Sequence, residues 1–481
     1  MRIEIQLRIV GDDDSVISVD KVLHLDKSDD RLEAVGLSLS EGKAVMAGIH
    51  ERVVTAQAAS FLDRHRCCSG CGRALLSKGP GWIQFRTAFG TIPLNSPRFH
   101  RCRCQPSARK TFSPLGELFT EHTAPELLYL ETRWASLVSF GLTAQLLNEV
   151  LPIGSTANAC TIRRHLHKVA ARHDADLGGE QQGGLDSGPG NDQPLPQGTV
   201  IVGIDGGYVR NWYDKKRNFE VMVGKTMATG RNDRYFGLVA SQDEQSDHRL
   251  RAVLQDLPGT QTVTILTDGG DSVRALAGVM APGAAPILDW FHIAMRLTGL
   301  GNYTKGLAHH NPVEATALES RLERIKWRLW HGDAGEALTR AEQLTADVAA
   351  LDSGYPKLKR LVKATADLAT YIANNAAALP DYSERWFNGE RISTAFAEST
   401  VNLVVSRRFA KKQQMQWSKQ GAHRLLQTRT KALDGTLRDL FTTWFGIRPW
   451  LPTTTKSQRS PLRSEHLPSF DMLPRDGRCR G

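Results

Sequence analysis

An unbroken β-branched run, TVIVGID at 199–205, constrains this chain more than any other feature. A strand that is apolar on both faces has to lie inside a sheet that is covered on both sides. The segments after it set the order of its neighbours. FEVMVGKT (219–226) and RYFGLVA (234–240) come at hairpin distance, then the amphipathic HRLRAVLQDL and a fourth apolar run, TVTILTD (262–268). Helical SVRALAGVM, a short fifth run PILD (286–289) and the helical opening WFHIAMRL complete the series. Three meandering strands and then alternating helices and strands specify an α/β fold, a mixed sheet with helices packed on it.

On either side of this core the pattern changes. Residues 1–63 read as a strand, a charged segment and a helix. Residues 64–110 hold five of the seven cysteines, and 111–173 turn helical. The segment 174–198 is rich in Gly, Gln, Asp and Pro, with almost nothing to bury, so a linker and a domain boundary are expected there. The sheet core should occupy 199–298 and return at 386–450, with an all-helical stretch at 299–385 between. The Pro-, Ser-, Thr- and Arg-rich tail, 451–481, has the composition of a disordered basic extension.

Lys and Arg number 61 against 51 Asp and Glu, a net +10 that favours a polyanionic partner. No run of about 18 apolar residues predicts a membrane span, and the N-terminus lacks the apolar core of a signal peptide. A cytoplasmic protein with reduced cysteines is expected, which favours metal binding over disulfides.

The acids carry the most chemistry. Asp205 ends the first run, Asp268 the fourth and Asp289 the fifth, and the strand order puts the first and fourth side by side. Gly-Gly follows both Asp205 and Asp268, leaving the backbone open to a bulky ligand. Facing carboxylates repel unless a cation lies between them, and Mg²⁺ or Mn²⁺ is the usual solution. Two such ions about 4 Å apart support phosphoryl transfer. The plainer alternative is that each Asp merely caps a helix or closes a turn. In ILDWFHIAMRL (287–297), Asp289 and His292 stand three residues apart among large apolar side chains. Either they serve the same site together, or the Asp caps the helix and the His is satisfied in the core.

Cys68-x-x-Cys71 and Cys102-x-Cys104 form two knuckles separated by a predicted hairpin, a spacing suited to one tetrahedral Zn²⁺; Cys67 or His100 could substitute for one ligand. Residues 127–170 have the rhythm of a helix-turn-helix, with Arg163 and Arg164 on its basic last helix. In RRFAKKQQMQW (407–417), Arg407, Arg408, Lys411 and Lys412 would meet phosphates and Trp417 could stack on a base.

Seven stretches together point to a family. DGGYVR (205–210), FEVMVGK (219–225), LTDGGDSVR (266–274), LDWFHIAMRL (288–297), ERIKWRLWHG (323–332), ISTAFAESTVN (392–402) and the RR…KKQQMQW…GAHRLLQTR run (407–429) occur in order. They resemble the ISKra-type insertion-sequence transposases, bacterial DDE enzymes with an RNase H-like core. LDWFH is also similar to the C/D-x-x-H signature of the Mutator and hAT superfamilies. The resemblance implies a metal-binding triad of Asp205, Asp268 and Glu398, with a helical insertion before the Glu-bearing helix. By itself Glu398 has nothing to distinguish it. The resemblance further implies a zinc module and helical domain that bind double-stranded DNA, namely terminal inverted repeats and target DNA. A homo-oligomer associated with the bacterial nucleoid would synapse the two ends. An RNase H-like nuclease or resolvase, or a non-enzymatic zinc-dependent DNA-binding protein, would share these features.

Overall fold

Alternating apolar residues pair β1 (Arg2–Val10) with β2 (Val16–Asp26) as an antiparallel hairpin, where the sequence suggests a strand and then a charged segment. The architecture comes from a computed structural model that describes residues 1–446, apart from 12, 28–31, 33–34, 106, 108, 155–156, 180–199, 229–230, 256–262, 281–285, 353, 394–398 and 411–414. The chain forms two units, one from residues 1–170 with a return at 437, the other from 171–436.

In the first unit, helix α1 (Leu39–Arg64) starts at a reciprocal capping box: Glu41 N donates to Ser38 Oγ, and Ser38 N donates to the Glu41 carboxylate. Val54, Ala58 and Leu62 recur at intervals of four on one face of α1. They bury against Ile83, Ile92 and Leu94 of a hairpin, β4 (Trp82–Thr87) with β5 (Gly90–Asn95). Strands β3 (Ser77–Gly79), β6 (Arg98–His100) and β7 (Thr111–Phe112) form a small separate sheet. Helices α2 (Pro114–Leu118), α3 (Pro125–Leu137), α4 (Phe140–Val150) and α5 (Ala159–Gly179) come next. Ile162, Leu166, Val169 and Ala170 are the buried stripe of α5, which leaves Arg163, Arg164 and Lys168 exposed. Buried Glu131 on α3 ties the α5 face in place, pairing with His165 and with Arg86 of β4. The boundary between units falls inside α5, whose helical pattern runs on to Gly179, past the residue where the linker is expected to begin.

The second unit is built on a five-stranded mixed sheet. Strands β8 (Val200–Arg210), β9 (Asn218–Met227) and β10 (Arg234–Leu238) meander antiparallel, while β11 (Val263–Thr267) and β12 (Pro286–Leu288) add in parallel on the other side of β8. The order β10-β9-β8-β11-β12 is the one the sequence implies. Helices α6 (Ser246–Gln255) and α7 (Asp271–Met280) make the crossovers, and Val200, Val202, Ile204, Ile265, Val273 and Ala277 share the core between sheet and helices.

The predicted helical stretch is α8 (Trp290–Leu307), α9 (Pro312–Trp330), α10 (Ala334–Ala349), α11 (Leu358–Asn375) and α12 (Tyr382–Phe387), with its own core continuous with Leu288 of β12. The chain then returns to the sheet through a π-helical stretch, α13 (Asn402–Ala410), and α14 (Lys419–Asp434). The last helix, α15 (Leu437–Phe445), leaves the sheet core in which the sequence places it. In the first unit, Phe441 packs edge-on against Tyr129 of α3. Among the described residues no helix is long and apolar enough to cross a membrane.

An ion-pair network locks the far side of the sheet. Arg249 donates to Asp243 Oδ2 at 2.8 Å and to Asp174 Oδ1 at 2.7 Å, and His423 Nε2 lies 3.9 Å from Asp174 Oδ2. Burial, with Lys431 and Arg249 nearby, pushes His173 down to about 3, and burial also lowers His423. Both are therefore neutral in the folded chain at neutral pH, whereas the unfolded chain protonates them near pH 6.5. A depressed folded value gives stability that is present above 6.5 and is lost as pH falls towards the folded value. Urea unfolding at pH 7 and pH 5 should show a loss, with His173 contributing about 2 kcal/mol of it. In His173→Gln that part of the pH dependence should vanish; an unchanged slope would contradict the assignment.

Candidate active site and metal centre

Strand register alone puts two carboxylates side by side. β11 pairs with β8 up to Thr267 opposite Ile204 and stops there, so Asp268 follows on one strand where Asp205 follows on the other. β8 does not end at Asp205, as its sequence suggests, because β9 continues to pair with it as far as Arg210 opposite Asn218. Asp205 is thus the first residue of β8 without a neighbour on its β11 side. Each carboxylate closes a local turn on a following glycine: Gly206 N donates to Asp205 Oδ1 at 2.7 Å, and Gly270 N donates to Asp268 Oδ1 at 2.8 Å. Gly269 adopts φ +86°, and a β-carbon there would collide with Asn375 of α11. Gly207, on the Asp205 face of the strand, lets α13 approach; a β-carbon would lie 3.3 Å from Val401 and 3.4 Å from Val405.

Burial pushes the Asp205 carboxyl above the usual range, and Asp268 and Asp289 push it further in the same direction. His292 and the Gly206 amide oppose them. Asp268, Asp289 and His292 therefore all act on the Asp205 carboxyl at the carboxyl edge of the parallel strands. Asp271 does not belong to this group. It is 94% exposed at the start of α7, and it pairs with Arg274.

Asp289 takes the capping role its sequence allows, and His292 lies beside it, partly exposed, outside the core. Asp289 is fully buried and caps α8 by accepting from Phe291 N at 2.8 Å, while its own amide extends the ladder to Thr267 O. Its other oxygen, Oδ2, lies 3.8 Å from His292 Nε2, so the pair meets across one helical turn. Trp290 points away into the core, 4.9 Å between ring centres from both Trp330 and Tyr382. Phe291 is half-buried, edge-on to His292.

The helical insertion reaches back to the strand ends through residues that sequence reasoning misses. Tyr371 of α11 donates its hydroxyl to Asp268 O at 2.9 Å, with the Arg296 guanidinium 3.9 Å over its ring. Tyr382 donates to Leu288 O at 2.7 Å. Burial raises both phenols above their ordinary value, so they remain donors. Nothing in the local sequence marks these tyrosines, because their partners are main-chain oxygens about a hundred residues away.

Of the expected DNA contacts, Arg407 is exposed on α13, as are Arg163 and Arg164 on α5. Arg408 and Trp417 are corrected. Both are buried, the guanidinium lies 5.2 Å from the indole, and burial with Arg429 nearby pushes Arg408 down to about 9. Trp417 also packs on Phe409 and bridges to Asn211, so it is a structural residue and not a base-stacking one. Glu398, Lys411 and Lys412 lie outside the described residues.

In the first unit the four cysteines of the two knuckles converge. Cys68, Cys71, Cys102 and Cys104 place their sulfurs within 4.8 Å of one another, with Cys68 and Cys104 at 3.4 Å and Cys71 and Cys102 at 3.4 Å. Zn–S bonds of about 2.3 Å in a tetrahedron imply sulfurs about 3.8 Å apart, so one zinc-sized ion fits this set. Gly72, at φ +70°, turns the first knuckle, and its amide donates to Cys68 O at 2.9 Å. The Gly70 amide, the Cys104 sulfur and the Cys71 amide lower the Cys68 thiol to about 7, while the neighbouring sulfurs push Cys104 up to about 12. Cys67 and His100 are not part of the cluster.

No protein-family profile matches the chain, and no curated protein does.

Metal analysis of protein purified without chelator should find about one zinc per chain. Cys71→Ser or Cys104→Ser should lose it and lower the melting temperature, while Cys67→Ser retains it. Zinc-free wild-type protein would overturn the assignment.

Proposed function

We propose that the chain is a metal-dependent DNA-cleaving and strand-joining enzyme, a DDE transposase with an RNase H-like core, acting on insertion-sequence ends. The observation that carries this reading is the register-enforced adjacency of Asp205 and Asp268, with one imidazole to offset three acids. The strand order β10-β9-β8-β11-β12 and the helical insertion between β12 and α13 agree with that core. Hard carboxylate oxygens with excess negative charge suit Mg²⁺ or Mn²⁺ better than softer ions. Two such ions would supply an activated water or 3′-hydroxyl and stabilise the leaving oxygen in phosphoryl transfer.

Within that reading, Asp205 and Asp268 hold the cations from adjacent strands, and Glu398 would join them from the segment before α13. His292 balances the acid charge at Asp205, and Asp289 holds His292 from a buried cap. Tyr371 fixes the main chain at Asp268. The zinc module and α5, with Arg163 and Arg164 exposed, would bind the terminal repeats of double-stranded DNA, and a homo-oligomer would bring two ends together.

Incubating purified protein with DNA carrying the element ends and Mg²⁺ should yield nicked and joined products. Asp205→Asn, Asp268→Asn and Glu398→Gln should each lower product more than about 100-fold while end binding persists, since the amide keeps the volume and loses the charge. His292→Ala should lose most cleavage with stability changed by less than about 0.5 kcal/mol. Nicking without joining would favour a nuclease, and binding without either would favour a non-catalytic zinc protein.

A further inference from the structure

We propose that the tip of the β8–β9 hairpin is a stacking platform for single-stranded nucleic acid. The proposal deepens the DNA-processing reading and rests on it for what the strand is doing there, while the binding is measurable without it. The stretch is Tyr208-Val209-Arg210-Asn211-Trp212-Tyr213-Asp214-Lys215-Lys216-Arg217. Alternation buries Val209 and turns Tyr208 and Arg210 outward, and the turn itself exposes Trp212 by 58% and Tyr213 by 83%. Four cations, Arg210, Lys215, Lys216 and Arg217, are exposed around them. The one carboxylate, Asp214, accepts from Lys216 N at 3.1 Å and lies 3.5 Å from Arg217.

This turn is held in shape. Trp212 N donates to Trp417 O and Trp417 N donates to Arg210 O, both at 2.9 Å; Asn211 N donates to Arg217 O at 3.1 Å, and Tyr213 N donates to Asn211 Oδ1 at 3.0 Å. The hydrogen bonds fix the main chain of the turn, and the apolar area that Trp212 and Tyr213 leave in water costs free energy. A partner with flat faces and negative charge recovers it. Stacking bases satisfy the rings, and phosphates satisfy the cations. A duplex keeps its bases stacked on one another, so the rings favour an unpaired strand. Along the chain, β8 carries Asp205 and continues into this hairpin, with Tyr208 and Arg210 on the sheet face opposite Asp205 and Trp212 beyond the strand end.

The test is fluorescence anisotropy of a labelled oligothymidylate of about 20 nucleotides and a duplex of about 20 base pairs, long enough to span the hairpin. The full chain is used, with no added divalent cation. Trp212→Ala/Tyr213→Ala should raise the single-strand Kd at least about tenfold and the duplex Kd less than about twofold, with the melting temperature unchanged. Trp212→Phe should restore most of the affinity. An unchanged single-strand Kd in the double variant would overturn the platform. Equal losses on single strand and duplex would overturn the stacking basis in favour of a phosphate-only surface. Wild-type protein that cleaves element ends while the double variant binds oligothymidylate normally would defeat this inference alone. Hairpin-dependent binding without any cleavage would defeat the enzymatic reading alone.

Discussion

One mismatch in strand length organises the second unit. β8 is paired with β9 along almost its whole length and with β11 only as far as Thr267. The unpaired flank begins at Asp205, and Asp268 emerges next to it, so two carboxylates meet through backbone register and not through side-chain choice. Register is strongly specified here because Val200, Val202 and Ile204 fill one core, and a slip of one residue would replace them there with Ile201, Gly203 and Asp205. The same mismatch lets β8 continue past its neighbour into the hairpin that carries Trp212 and Tyr213.

The charges at that edge are kept in place by structure drawn from several parts of the chain. Asp289 caps α8 and faces His292, and His292 opposes the burial of Asp205. Tyr371, Asn375 and Tyr382 come from the helical insertion and touch the main chain at Asp268, Gly269 and Leu288. The insertion has its own hydrophobic core, continuous with β12, and that rigidity is what allows a tyrosine a hundred residues away to fix a strand end.

Periodicity makes the strand order, the all-helical stretch and the Cys68–Cys104 knuckles legible, because each rests on local spacing. The first strand of the N-terminal hairpin is legible by its alternation, but β2 is not, because Val16, Ile17 and Val19 stand exposed among charged residues and no clean alternation marks a buried face. Arg408 and Trp417 read as a nucleic-acid surface for the opposite reason. A cation beside an indole looks the same in sequence whether the pair faces water or packs together in the interior, as here. The exposure of Trp212 and Tyr213 is invisible in sequence for want of the same information. Glu398 stands on the family resemblance alone.

A metal-dependent active site at the strand ends requires Asp205 and Asp268 to form one cation-binding pair. Mn²⁺ titration followed by electron paramagnetic resonance measures this without DNA or turnover. Wild-type protein should bind Mn²⁺ saturably, and Asp205→Asn and Asp268→Asn should each abolish the tight phase, with the double variant no worse than either single one, because both side chains serve one site. Additive losses, or tight binding that survives in both single variants, would contradict it.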